Sequence, residues 1–252
     1  MIELKSKDEV ERMRRPAAVV AQILAALREA AKVGVTTAEL DALAERMIER
    51  AGARSAFKNY RVGNAVFPAV LCTSINEEVV HGIPSDRALE DGDILSLDFG
   101  VELDGFYGDA AITVPIGTID EESKKLLEVT KRCLEVGIDQ LRAGNRLGDV
   151  GAAVQEVAES EGFSVVREFV GHGIGRALHE DPQVPNFGVR GRGRELKPGM
   201  VIALEPMINA GGPGVRVLDD GWTAVTADGR RSAHFEHTVA VTTNGPRILT
   251  TP

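Results

Sequence analysis

The chain has 252 residues, of which 43% are hydrophobic and 27% are charged, and its formal net charge is −9. This is an ordinary globular composition with ample core, and the acidic balance disfavours a nucleic-acid-binding protein that relies on a broad basic surface. The two cysteines, Cys72 and Cys133, show no disulfide-type spacing. No signal-peptide core and no run of about 18 apolar residues occurs, so we expect a cytoplasmic protein that does not enter a membrane.

The first half of the sequence predicts two helices followed by strands. Ser6-Lys7-Asp8-Glu9 and Thr36-Thr37-Ala38-Glu39 are capping boxes, and they open helices that we expect to end near Gly34 and at Gly52. Strand-like runs follow at residues 69–74, 93–100 and 106–114. Asp104-Gly105 separates the last two runs and is a two-residue sequence typical of a tight β-hairpin.

The second half repeats this order of elements. Helices are predicted at residues 121–142 and 147–161, and Gly144 and Gly162 stop them. Strands are predicted at residues 164–170, 200–206, 222–226 and 232–242. Asp228-Gly229 predicts a hairpin between the last two of these strands.

The repeat is also visible in the residues themselves. Leu89–Asp98 matches Leu196–Glu205, because in both segments an acid stands six residues after a glycine and directly after a leucine. His81-Gly82-Ile83 likewise echoes His172-Gly173-Ile174. We predict an α+β fold with two similar helix-helix-strand halves, about residues 1–118 and 119–252, each presenting one hairpin. The halves would form a single catalytic domain with a site at their junction, and chance similarity of two buried strands is the alternative.

Five residues stand inside apolar or glycine-bounded segments and have the chemistry of a metal site: Asp98, Asp109, His172, Glu205 and Glu236. A carboxylate in such a segment costs free energy unless it is paired or bound to a metal. Four carboxylates and one imidazole suit a pair of divalent cations and are poor ligands for a structural zinc. This set predicts metal-assisted hydrolysis.

The hairpin register brings two of these acids together. With Asp104-Gly105 as the turn, Asp98 lies opposite Ala111, and Asp109 shares the face of Asp98 on the neighbouring strand. Such diagonal neighbours have Cα atoms about 7–8 Å apart, which suits two acids holding metals about 3.5–4 Å apart. The alternative is that Asp109, following Gly108, only caps a bulge.

All five histidines lie outside the predicted helices: His81, His172, His179, His234 and His237. We interpret His172 as a metal ligand, and His81 and His179 as groups aimed at the substrate. His237 is expected to orient Glu236. The sequence leaves His234 undecided between a site residue and an ordinary buried histidine.

With the five proposed ligands in this order, the chain resembles the methionine aminopeptidases, which have the pita-bread fold, over nearly its whole length. The motifs that carry the resemblance are residues 72–77, 81–84, 104–109, 171–175, 179–182, 205–206 and 235–238. No long insertion separates Glu205 from Glu236, as one does in type 2 enzymes. The chain is therefore similar to the short, bacterial type 1 form, without the zinc-binding N-terminal extension.

The resemblance implies specific tasks for these residues. Two divalent ions (cobalt, manganese, iron, zinc or nickel) would be bound, with Asp109 and Glu236 bridging them. Glu205 would also shuttle a proton, His179 would stabilise the developing oxyanion, and His81 would contact the scissile nitrogen. The substrates would be the N-termini of nascent polypeptides that carry methionine before a small second residue, with the free α-amine binding a metal.

The resemblance also implies an apolar slot for the methionine side chain. Phe67, Cys72, Leu178 and Trp222 match pocket positions of the family, with ordinary core as the alternative for Phe67 and Trp222. The segment 58–66 departs most from the family and has no defined alignment to it. Pocket shape is therefore the least defined part of the prediction.

Two other functions remain open from the sequence. An Xaa-Pro aminopeptidase or prolidase shares the five ligands but usually carries a large N-terminal domain, for which we expect no room in this chain. A pita-bread binding protein without catalysis would have lost metal ligands, and none is lost here. We expect a monomer, and the sequence leaves the working metal and docking on the ribosome undecided.

Overall fold

The computed structural model describes residues 2–251. Its four α-helices are α1 Lys7–Ala30, α2 Thr37–Ala51, α3 Glu121–Gln140 and α4 Leu147–Ser160. The strands of the first half are β1 Arg54–Ser55, β2 Arg61–Val62, β3 Ala65–Val66, β4 Cys72–Ile75, β5 Glu78–Val80, β6 Ile94–Leu103 and β7 Phe106–Pro115. Those of the second half are β8 Ser164–Val165, β9 Gly171–Gly173, β10 Glu180–Val184, β11 Val201–Leu204, β12 Met207–Asn209, β13 Val215–Val217, β14 Ala224–Thr226, β15 Ser232–His234, β16 Glu236–Thr242 and β17 Gly245–Ile248.

Both predicted capping boxes form. The side chain of Ser6 accepts a hydrogen bond from the N–H of Glu9, and the carboxylate of Glu9 accepts from the N–H of Ser6; Thr36 and Glu39 do the same at α2. Helix α2 ends before Gly52, as predicted, whereas α1 ends at Ala30, short of Gly34. Gly34 has a φ of 88° and lies in the turn between the helices.

The main sheet is antiparallel and has nine strands. Its order is β1-β6-β7-β16-β11-β9-β10, with β17 added to β16 and β4 added to β6. The hairpin β6–β7 has the predicted register, since Asp98 opposes Ala111 and Gly100 opposes Asp109 across the Asp104-Gly105 turn. The prediction for the central hairpin is therefore confirmed.

Alternation along β6 separates the helix-facing core from the rest of the sheet. Leu95, Leu97, Phe99 and Val101 all pack in one apolar cluster with side chains of α1 and α2. Because successive strand residues point to opposite faces, the intervening Asp98 projects from the other face of the sheet. The buried helix layer thus supports a sheet whose open face carries the acids.

The two halves are related by matching hydrogen bonds. The N–H of Gly34 donates to Leu89 O at 2.8 Å, and the N–H of Gly144 donates to Leu196 O at 3.0 Å. In return, the N–H of Leu89 donates to Val35 O at 2.9 Å, and the N–H of Leu196 donates to Asn145 O at 2.8 Å. The predicted helix-helix-strand repeat is confirmed by these bonds.

The histidine echo is not part of this repeat. In the first half, Ser74 on β4 opposes Ser96 on β6. In the second half, His172 on β9 opposes Ala203 on β11, and Ala203 is the residue equivalent to Ser96. Ser74, not His81, is therefore the counterpart of His172. The match of two His-Gly-Ile triplets reflects local similarity alone.

The second half differs from the predicted strands in several details. The strand predicted at 164–170 forms only at Ser164–Val165. The turn at Asp228-Gly229 connects β14 to β15, but these two strands belong to different sheets. Strand β14 pairs with β13 and β5, whereas β15 pairs with β12, which in turn pairs with β8. The predicted hairpin is therefore wrong. The runs predicted at 200–206 and 232–242 are each broken, after Leu204 and after His234. Proline has no N–H for a sheet ladder, and Pro206 stands at the first break.

None of the helices in the described part of the chain is long and apolar enough to cross a membrane.

Candidate metal centre

Five adjacent strands of the main sheet each place one of the predicted ligands. Asp98 is on β6, Asp109 on β7, Glu236 at the start of β16, Glu205 directly after β11, and His172 on β9. These strands are consecutive neighbours in the sheet order. The five side chains line one cavity of about 300 Å³, so residues far apart in sequence meet in one place.

The donor atoms of this group are close enough to share metal ions. Ligand atoms of Asp109, His172 and Glu236 lie within 4.8 Å of one another. The Nε2 of His172 is 3.5 Å from Glu205 Oε1 and 4.0 Å from Asp109 Oδ2. Asp98 and Glu236 both oppose Ala111, one on each neighbouring strand, which places them side by side across β7.

The acids of the centre are buried without enough hydrogen-bond donors. Asp98 Oδ1, Asp109 Oδ1 and Glu236 Oε1 have no hydrogen-bond partner among residues 2–251. Burial raises the pKa of Asp98 to about 7, and burial together with the neighbouring acids raises the pKa of Asp109, Glu205 and Glu236. Clustered, orphaned carboxylate oxygens are what a hard divalent cation satisfies, so the residues present fit a metal centre.

His172 presents an unprotonated nitrogen to these acids. Its Nδ1 lies 2.9 Å from Gly173 O, and a carbonyl oxygen only accepts, so Nδ1 carries the proton. Burial lowers the pKa of His172 to about 3, chiefly by disfavouring the charged ring. A neutral imidazole with a free Nε2 is the form that binds metals.

Part of the cavity lining is apolar and aromatic. The four predicted pocket residues, Phe67, Cys72, Leu178 and Trp222, all belong to it and are all buried. The rings of Phe67 and Trp222 meet edge to face with centroids 5.2 Å apart. These four residues form an apolar slot in the same cavity as the five predicted ligands.

Three further residues of this lining were not predicted from the sequence: Phe57, Tyr60 and Val62. Tyr60 and Val62 belong to the segment 58–66, which departs most from the family, and Phe57 directly precedes it. Gly63-Asn64, between the short strands β2 and β3, is a two-residue turn sequence that could have indicated a hairpin at the rim. The structure pairs β2 with β3 across this turn and places Val62 in the cavity lining.

The two histidines predicted to face the substrate also line the cavity. His81 has a φ of 62°, unusual for a residue with a side chain, and its ring lies edge-on to Phe169 at 5.4 Å and Trp222 at 6.2 Å. The rings of His179 and His172 have centroids 4.3 Å apart. His179 Nδ1 is 2.7 Å from the hydroxyl of Tyr60, a partner that the sequence did not indicate.

The remaining two histidines lie off the cavity wall. His237 Nδ1 is 2.8 Å from Thr250 Oγ1, and strand alternation turns it away from Glu236, so it does not orient that acid as predicted. His234 is 1% exposed, and its ring nitrogens have no hydrogen-bond partner in residues 2–251. Thr113 Oγ1 bonds both the N–H and the carbonyl of His234 and fixes its backbone.

Comparisons with known proteins agree with this geometry. Metallopeptidase family M24 matches residues 11–243. The methionine aminopeptidase of Clostridium perfringens is 51% identical over 250 residues, which cover 99% of each chain. The crystal structure of the methionine aminopeptidase from Thermotoga maritima has a TM-score of 0.96 and 45% identity, and the match covers 100% of both chains.

A more distant structure shares the fold alone. The prolidase from Pyrococcus furiosus has a TM-score of 0.80 at 21% identity, and the match covers 99% of this chain but 65% of the prolidase. The curled antiparallel sheet with its paired helices is thus the predicted pita-bread fold. By the family match and the full-length relatives, this chain belongs to metallopeptidase family M24.

Proposed function

We propose that this chain is an aminopeptidase that removes the N-terminal methionine from polypeptides whose second residue is small. The observation that carries the proposal is one cavity with two chemically distinct sets of lining residues. One set is the five proposed metal ligands, and the other forms an apolar, aromatic slot. The full-length relatives named methionine aminopeptidase support the same activity.

Asp98, Asp109, His172, Glu205 and Glu236 would hold two divalent ions, with Asp109 and Glu236 central to both. When bound, such ions polarise the scissile carbonyl and lower the pKa of water. The four acids and one imidazole do not select among cobalt, manganese, iron, zinc and nickel. The slot and these side chains share one cavity, so a methionine in the slot would bring its own carbonyl to them.

His179 would stabilise the oxyanion that develops on this carbonyl. The Tyr60 hydroxyl lies 2.7 Å from Nδ1 and would donate to that nitrogen, which would leave the proton of the imidazole on Nε2. Burial lowers the pKa of His179, so the ring is neutral and Nε2–H would be a hydrogen-bond donor to the oxyanion. Tyr60 would thereby set the tautomer that the reaction needs.

Glu205 and His81 would handle the protons. Glu205 Oε1 lies 3.5 Å from His172 Nε2, and burial and the neighbouring acids raise the pKa of Glu205. A carboxyl with a raised pKa can take a proton from the attacking water and return it to the leaving amine. His81, on the same cavity, would contact the scissile nitrogen.

The slot would select methionine by shape and softness. Cys72, Phe67, Leu178 and Trp222 offer a polarisable, apolar lining with no charged group, which suits a flexible thioether chain. Crowding of His81 beside the metal-binding side chains leaves little room for a bulky second residue. We further propose a monomeric, single-domain enzyme of the cytoplasm that acts on nascent chains, with docking on the ribosome undecided.

A panel of peptides tests this function. Met-Ala-Ser should be cleaved after methionine, whereas Met-Lys-Ser and acetyl-Met-Ala-Ser should resist, because a large second side chain collides and an acetylated amine is a poor metal ligand. Ala-Pro peptides should also resist. Mass spectrometry of the products, with metal and with a chelator, provides the measurement; equal cleavage of all peptides, or preference for Ala-Pro, would refute the proposal.

A further inference from the structure

Lys5 is a lysine whose side chain is almost entirely inside the protein. Its side chain is 1% exposed, and its Nζ lies 2.5 Å from Glu180 Oε2. Lys5 Nζ also donates to Glu3 O at 3.3 Å. Lysine is almost never fully buried unless it is paired, so the ion pair with Glu180 is the reason this lysine can lie there.

Glu180 in turn holds the loop that carries His179. Its Oε1 accepts hydrogen bonds from the N–H of Arg176 at 2.7 Å and the N–H of Ala177 at 3.2 Å. The loop 175–179 therefore closes on a carboxylate whose second oxygen is held by Lys5. Leu178 and His179, which line the cavity, lie between these anchored positions.

Other contacts also join the N-terminal segment that contains Lys5 to the loop 175–179. Arg176 pairs with Glu9 at 2.7 Å and with Glu3 at 3.4 Å. A Cβ at Gly175 would lie 2.2 Å from Lys5 Cε and 2.7 Å from Lys5 Nζ, so a glycine here is needed for the lysine to pass. The backbone N–H of Lys5 donates to Gly199 O at 2.7 Å, which ties the N-terminal segment to the turn before β11.

We infer that Lys5 and Glu180 form a latch by which the N-terminal segment positions the loop 175–180, and with it the His179 imidazole, for catalysis. The effect of the latch on catalysis rests on the proposed function, whereas its effect on the position of the loop does not. Lys5 is a positioning residue, since it acts through Glu180 and the loop. A displacement of the order of 1 Å at a catalytic group can lower the rate about 10²-fold, so even a small loosening of this loop should be measurable.

The first test compares Lys5→Met with Lys7→Met, an exposed lysine on the same segment. Lys5→Met should lower kcat for Met-Ala-Ser about ten-fold, with KM changed less than about three-fold and metal content unchanged. Lys7→Met should behave as the wild type. Glu180→Gln is the second variant, since it keeps an acceptor for Arg176 and Ala177 but removes the charge that Lys5 needs. If Lys5→Met does not fold, Glu180→Gln is measured in the same way.

The second readout does not depend on turnover. Hydrogen exchange of the Arg176 and Ala177 amides, followed by NMR, should speed up at least about ten-fold in Lys5→Met. The control amide is Gly105, whose N–H also donates to a glutamate side chain, Glu102 Oε1 at 2.7 Å, and its exchange should not change. Faster exchange with an inactive wild-type protein would refute the proposed function and leave the latch standing.

A double variant separates positioning from plain stability. Lys5→Met leaves the partly buried Glu180 carboxylate without its cation, whereas Lys5→Met with Glu180→Gln removes both charges and should recover much of the lost stability. The kcat should stay reduced, because the tie between the two segments is still absent. Wild-type exchange at Arg176 and Ala177, or a kcat that recovers together with the melting temperature, would overturn the latch.

Discussion

At the scale of single residues, Asp109 is the acid on which the proposed centre depends most. It belongs to the tightest group of donor atoms, and both its backbone N–H and its carbonyl are bonded by Thr238 Oγ1. One of its carboxylate oxygens has no partner within residues 2–251. The backbone is thus held by the neighbouring strand while the carboxylate is left for a ligand.

Asp109→Ala should abolish peptide hydrolysis and binding of the second metal, while the fold persists, because the proposed bridging ligand is lost. Metal stoichiometry and turnover of Met-Ala-Ser are the measurements. Asp139→Ala, at an exposed acid on α3, is the matched control. Wild-type turnover by Asp109→Ala with both metals bound would remove Asp109 from the centre.

Tyr60 and His179 form the other testable pair at this scale. His179→Ala should lower kcat about 10²–10³-fold without loss of metal, the usual effect of removing one oxyanion donor. Tyr60→Phe should lower kcat about ten-fold, since it removes the group that holds the imidazole tautomer. Steady-state kinetics and metal analysis measure both, with Tyr107→Phe as control; metal loss in His179→Ala would show that His179 is a ligand.

At the scale of elements, α1 depends on its N-terminal capping box. The Ser6 backbone N–H and side-chain hydroxyl both donate to Glu9, and with Arg176 they lower the pKa of Glu9 from 4.5 to about 2. Because the folded pKa lies below the unfolded one, this contribution is present above pH 4.5 and is lost as the pH falls towards 2. The Glu9 side chain is partly exposed, so solvent screens these interactions and the contribution is modest.

Ser6→Ala should lower the free energy of unfolding by about 1 kcal/mol at pH 7, the usual effect of losing a helix N-cap. The difference from the wild type should shrink below about pH 4, as Glu9 takes up a proton and leaves the capping box in both proteins. Urea unfolding at several pH values measures it. A difference that grows as the pH falls would mean that Glu9 does not contribute through this cap.

The elements also show which local patterns were reliable. The turn at Asp104-Gly105 joined its two flanking strands, since both are long and neighbouring in one sheet. Asp228-Gly229 made a turn of the same composition, yet its flanking strands joined different sheets. A turn sequence specifies local backbone, whereas strand pairing depends on which partner buries each face.

At the scale of the whole molecule, burying four acids in one cavity opposes folding when no cation is present. The pKa of Asp98 is raised to about 7 in the folded protein from an ordinary value near 4 in the unfolded chain. The free energy of unfolding therefore falls as the pH rises from about 4 through 7. The pKa values of the buried histidines are lowered, so their contribution makes the free energy of unfolding rise with pH, but that rise is complete above about pH 6.5. Above that pH the acids alone determine the trend.

The metal-free protein should therefore melt at a lower temperature at pH 8 than at pH 6.5. Adding a divalent cation should raise the melting temperature at both pH values and more at pH 8, because a ligand that binds the native state stabilises it and deprotonated acids bind it best. Calorimetry with chelator and with added manganese measures the difference. An equal metal-free melting temperature at both pH values would contradict the buried-acid argument.

The sequence by itself determined the helices, the central hairpin and the residue types of the candidate metal centre. Capping boxes, glycines after helices and alternation along strands are local signals, and carboxylates within apolar runs are visible without a fold. The order of the five candidate ligands also carried the resemblance to the family. These features depend on near neighbours in the chain, so the sequence suffices to predict them.

Only the tertiary structure decided what surrounds those residues. The bond from Tyr60 to His179, the buried pair of Lys5 with Glu180, and the pairing of His237 with Thr250 all join side chains distant in sequence. Ser74 became the counterpart of His172 through strand register, which no local pattern encodes. Such contacts arise when separate strands and loops meet across the sheet, because the free energy that selects them comes from burial shared by distant segments.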